Sequence, residues 1–85
     1  MTNEQKAVLD LIRAKIEIAD GQDNGTKTAE MHMQFLINAQ VLQSLDFSEV
    51  ISYMGINDSY KTELSKMVKL YKQLKLNSIN LVKIL

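Results

Sequence analysis

Residues 28–44 read Thr28-Ala29-Glu30-Met31-His32-Met33-Gln34-Phe35-Leu36-Ile37-Asn38-Ala39-Gln40-Val41-Leu42-Gln43-Ser44, and the fold class turns on them. Met31, Met33, Phe35, Ile37, Ala39 and Val41 alternate almost as the buried face of a strand would. Asn24-Gly25 upstream is a hairpin-type dipeptide, and Ile16 and Ile18 alternate before it. A hairpin around residues 15–41, within an α+β fold, is therefore one reading. The residue types favour the other. Ala, Glu, Met, Gln and Leu are helix formers, and Ile37 and Val41 are the β-branched residues of the interior. A helix over 28–44 has no clean polar face, so it is expected to be central, covered by other helices or by a second subunit.

A strand pairing back onto residues 14–20 would also dismantle the best amphipathic segment of the chain. Over residues 3–20, Lys6, Asp10, Arg13, Glu17 and Asp20 recur at spacings of three and four on one face. Val8, Leu9, Leu11, Ile12, Ile16, Ile18 and Ala19 cover the remainder. Thr2 with Gln5 has the form of a capping box, and Gly21 stands where a helix end favours a left-handed residue. Lys6–Asp10, Asp10–Arg13 and Arg13–Glu17 have the spacing of helix-surface ion pairs.

Downstream, Asp46-Phe47-Ser48-Glu49 is a capping box of the Asp-x-x-Glu type, opening a helix over 47–54 that Gly55 ends. Asn57, Asp58 and Ser59 supply the next cap, and a helix is predicted over 58–76. Tyr60, Leu64, Met67, Tyr71 and Leu74 form a heptad seam, whose register continues through Ser78 to Leu81 and Leu85. One helix of about 27 residues and a break near Asn77-Ser78, followed by a short helix over 78–84, are equal alternatives.

The whole chain has 85 residues, enough for one domain spanning 1–85. It contains no proline, no cysteine, no tryptophan and three glycines. Disulfide scaffolds, thiolate metal sites and cysteine nucleophiles are excluded, and the helix-interrupting residues are nearly missing. The expected fold is all-α, a small bundle of four or five helices with a long C-terminal heptad helix. The polar start, Met1-Thr2-Asn3-Glu4-Gln5-Lys6, is unlike a signal peptide, and the longest apolar runs fall far short of the roughly 20 residues of a membrane span. A cytoplasmic protein without a membrane partner is expected.

Ten basic and ten acidic residues cancel, but not locally. Residues 1–60 hold four basic against nine acidic side chains, whereas residues 61–85 hold Lys61, Lys66, Lys69, Lys72, Lys75 and Lys83 against Glu63 alone. Lys61, Lys66, Lys69 and Lys72 lie on the helical face opposite Tyr60, Leu64, Met67 and Tyr71. That face either serves an acidic partner or phosphates, or is a solvated surface that keeps the helix in water. Arg13 is the single arginine, which weakens the case for sequence-specific guanine reading.

The helix–glycine–helix unit over residues 47–75 resembles a helix-turn-helix. Val50, Met54, Gly55, Ile56 and Leu64 fill the apolar and turn positions of that motif. Ile51 departs from it where a small residue lets the helices approach, and Lys61 where a buried one is usual. The resemblance implies nucleic-acid binding. Leu76-Asn77-Ser78-Ile79-Asn80-Leu81-Val82 resembles the phosphopantetheine-attachment segment of acyl carrier proteins, but the loop before it and the two helices after it are missing, so no carrier role follows.

His32 is the lone histidine and has no ligand cluster in sequence, so no metal or other cofactor is expected. Neither a nucleophile motif nor a phosphate loop is present, and no enzymatic activity or small-molecule substrate is expected. Met31, Met33 and Phe35 form either a deformable recognition surface or, more simply, core filling. The leading expectation is a non-enzymatic helical protein acting by protein–protein interaction: a self-associating adaptor or inhibitor, of the kind frequent among phage and mobile-element accessory proteins. Its candidate contacts are Lys61, Lys66, Lys69, Lys72, Tyr60, Tyr71, Met31, Met33 and Phe35. The alternative is a helix-turn-helix-like nucleic-acid-binding regulator using the basic face of residues 61–75.

Overall fold

The computed structural model describes residues 1–21 and 26–77. Within them the chain forms α1 (Asn3–Asp20), α2 (Thr26–Ile37), α3 (Ala39–Leu42), α4 (Phe47–Met54) and α5 (Tyr60–Leu76). No strand occurs among the described residues, so the α+β hairpin is corrected to helix. The Asn24-Gly25 turn and the register from Ser78 to Leu85 lie outside the described residues.

α1 begins where expected. Gln5 N–H donates to Thr2 Oγ1 at 3.1 Å and Thr2 N–H donates to Gln5 Oε1 at 2.8 Å, closing the capping box. Leu9, Ile12, Ile16 and Ala19 are buried. Leu11 and Ile18 are not: 64% and 67% of their surfaces stay exposed, so the apolar girth read from the sequence is wider than the face that packs. Gly21 is right-handed (φ −76°), its N–H donating to Glu17 O and Ile18 O, which corrects the left-handed expectation. Of the three surface pairs, Arg13–Glu17 forms at 3.0 Å, while Asp10 instead accepts from Tyr53 Oη at 3.0 Å.

The single helix expected over 28–44 is two. Asn38 interrupts it, with its Nδ2 donating back to Gln34 O at 2.9 Å and its backbone at φ −99°, ψ 10°. Asparagine competes for backbone partners in this way because its amide is short and polar. The buried residues keep one helical phase across the break, Met31, Phe35, Ala39 and Leu42 following a 4-4-3 spacing. α2 is nonetheless central, packing against α1, α5 and α3. Met31 and Phe35 are fully enclosed, while Gln34, also buried, donates its amide to Glu30 Oε1 at 3.2 Å.

α4 is capped by Asp46, whose Oδ1 accepts from Glu49 N–H at 3.1 Å, and it ends at Gly55 in the left-handed conformation (φ 67°). Only that half of the predicted capping box forms. The chain then turns through Asn57, whose Oδ1 accepts from Ser59 N–H at 2.9 Å, and α5 starts at Tyr60, two residues later than predicted. The core joins Leu9, Ile12 and Ile16 of α1 to Met31 and Phe35, Ala39 and Leu42, Val50, Ile51 and Met54, and Leu64 and Val68. Val68, absent from the heptad reading, is among its most enclosed members on α5.

Candidate nucleic-acid interface

α4, the Gly55 turn and α5 make a helix–turn–helix arrangement. Ile56 leaves the turn inward and packs on the core, as do Tyr60, Met67 and Tyr71. Ile51 is fully buried, so the larger side chain occupies the helix junction where the motif commonly carries a small one. Lys61 is exposed rather than buried. Its Nζ donates to Ser48 Oγ at 2.6 Å, tying the start of α5 to the start of α4.

The basic face is real and uneven. Lys61, Lys66, Lys69, Lys72 and Lys75 are all exposed along α5. From Lys66 onward they recur in three-residue steps, about 4.5 Å along the axis and about 60° around it each, so the strip winds around the helix. Lys66 Nζ lies 3.7 Å from Glu63 Oε1, an exposed pair of small energetic weight. Lys69 and Lys72 have no partner among the described residues. Lys75 Nζ sits 6.0 Å above the Tyr71 ring, a cation–π separation. Near the end of α5, Gln43, Tyr71, Lys72, Lys75 and Leu76 line an open concavity of about 350 Å³.

Glu63, the lone acid of α5, is also approached from the interior. His32 Nε2 of α2 lies 2.8 Å from Glu63 Oε2. The separation is short, but the alignment is not that of a hydrogen bond, and this nitrogen is buried with no other partner. It joins α2 to α5 electrostatically when the imidazole is protonated. Sequence spacing gave no sign of this contact, since the two residues are 31 positions apart.

The other candidate contacts divide. Tyr60 and Tyr71 are half-buried against the core, and Met31 and Phe35 are enclosed in it, which favours core filling over a recognition surface. Met33 alone of that trio reaches the surface, with 38% of its area exposed. The structure therefore brings the lysines together on one face and separates them from the methionine-aromatic group. Tyr53, which the sequence reading passed over, bridges α4 to α1. Partial desolvation and its hydrogen bond to the Asp10 carboxylate raise its phenol above the usual value of 10.0.

A model of the family described as an HTH-like domain matches residues 4–77. The chain belongs to that family. The match runs from the first turn of α1 to the end of α5, so the helix–turn–helix unit and the helices packed behind it form one domain of the HTH-like type. No curated relative and no solved structure matches the chain. Among the described residues, no helix is long and apolar enough to cross a membrane.

Proposed function

We propose that this HTH-like domain is a non-enzymatic nucleic-acid-binding regulator whose contact surface is the lysine face of α5. The observation that carries the reading is the coincidence of two independent features: family membership over residues 4–77 and an exposed cationic second helix. Lysines neutralise phosphates and release condensed counterions, so binding of this kind falls steeply as salt rises. The order of preference read from the sequence is thereby reversed, with nucleic acid ahead of protein. A cytoplasmic setting fits that role. The test is a gel-shift or anisotropy titration with a duplex of about 20 base pairs at 50 mM salt. Micromolar binding that is lost by 300 mM supports the reading; no binding at 50 mM overturns it.

A second copy as partner keeps specific support in α1. Ala7, Leu11, Ala14 and Ile18 follow a 4-3-4 spacing on its outer face, and all four are exposed. Such a stripe suits packing against another helix. Four side chains cover less than the roughly 800 Å² per partner of standard stable interfaces, so any dimer formed this way alone is weak.

A further inference from the structure

We infer that α5 holds duplex nucleic acid through its C-terminal half, by phosphate contacts, with little dependence on base sequence; the inference rests on the nucleic-acid reading above. In helix-turn-helix docking the N-terminal residues of the second helix reach the base edges. In this chain those residues are engaged elsewhere. Tyr60 packs on the core, Lys61 donates to Ser48 at 2.6 Å, and Glu63 lies between His32 at 2.8 Å and Lys66 at 3.7 Å. Thr62 alone of the first turn is exposed and without a partner among the described residues.

Charge points the same way. The Lys61–Ser48 contact brings the start of α4 beside the start of α5, and with it Asp46 and Glu49, while Asp58 stands in the connecting turn. Carboxylates at that end repel phosphates. The other half of α5 carries Lys69, Lys72 and Lys75, all exposed, and its neighbour α3 (Ala-Gln-Val-Leu) has no ionisable side chain.

The ligand class follows from what is missing on this face. Arginine's rigid fork suits guanine reading better than lysine's single flexible ammonium, and Arg13 is on α1, paired with Glu17 at 3.0 Å. Single-strand binding needs free aromatic faces for stacking. Phe47 and Tyr60 pack on the core, Tyr71 does so beneath Lys75, and the exposed Tyr53 is on α4, its hydroxyl directed to Asp10 of α1 and not toward the lysine half of α5. A duplex presents its phosphates without asking for either.

The test is fluorescence anisotropy at 50–200 mM KCl with two 20-base-pair duplexes of unrelated sequence and one single strand. Expected are affinities for the two duplexes within about threefold, and weaker binding of the single strand. Lys69→Gln with Lys72→Gln should weaken both duplexes at least tenfold and flatten the log–log salt slope by about two. Thr62→Ala, and Lys15→Gln on α1 as a control for loss of a cation elsewhere on the surface, should stay within about twofold of wild type. A preference above about thirtyfold for one duplex, a large loss from Thr62→Ala, or tighter single-strand binding would each overturn the inference while leaving nucleic-acid binding standing. Absence of binding to all three probes at 50 mM overturns the nucleic-acid reading itself and this inference with it.

Discussion

Tyr53 and Asp10 are 43 residues apart and meet at 3.0 Å, the hydroxyl donating to the carboxylate. The phenol is raised in the folded state, so its contribution to stability is complete below the ordinary value near 10 and is lost as pH climbs through the raised one. Denaturation midpoints of wild type and Tyr53→Phe should therefore differ by a constant amount below about pH 9 and converge above about pH 10. A gap that widens with alkalinity would contradict that sign. Gly55 is the residue where the turn depends on backbone freedom, with φ at 67° and nothing within 4 Å of the space a Cβ would take. Gly55→Ala should cost about 1–2 kcal/mol in urea unfolding, through left-handed strain and without a clash. Phe35 is the largest enclosed side chain, and Phe35→Ala should cost about 3–5 kcal/mol.

At the scale of elements, α1 and α4 were readable almost to the residue because their signals are local: a cap, a periodic face, a glycine stop. Asp46→Ala should lower stability by about 1 kcal/mol, since Glu49 N–H would lose its acceptor. α2 and α3 were readable as helix but not as two, because the interruption depends on where the Asn38 amide finds Gln34 O, a choice made in three dimensions. The alternation from Met31 to Val41 does not mark a strand: the residues that are buried, Met31, Phe35, Ala39 and Leu42, keep a helical spacing through Asn38. The lysine face of α5 was legible from composition and spacing. Its unevenness was not: the ties from Lys61 to Ser48 and from Glu63 to His32 join distant positions, and only those contacts distinguish the engaged end of the helix from the free one.

For the whole molecule, the zero net charge conceals a division that the fold preserves, with five of the ten cations on α5 beside Glu63 alone, and carboxylates outnumbering cations over α1, α4 and the turn before α5. The outer stripe of α1 is the other unbalanced surface. Light scattering at high micromolar concentration should show weak dimerisation that Leu11→Glu abolishes, and a wild type that is strictly monomeric would remove that role. The central claim is that α5 is the nucleic-acid-binding face. Backbone amide shift mapping, with a short duplex titrated into the isotope-labelled protein at low salt, tests it most directly. Shifts should concentrate between Lys66 and Leu76 and fade as salt is added. Shifts gathered on α1 instead, or none at saturating duplex, would contradict it.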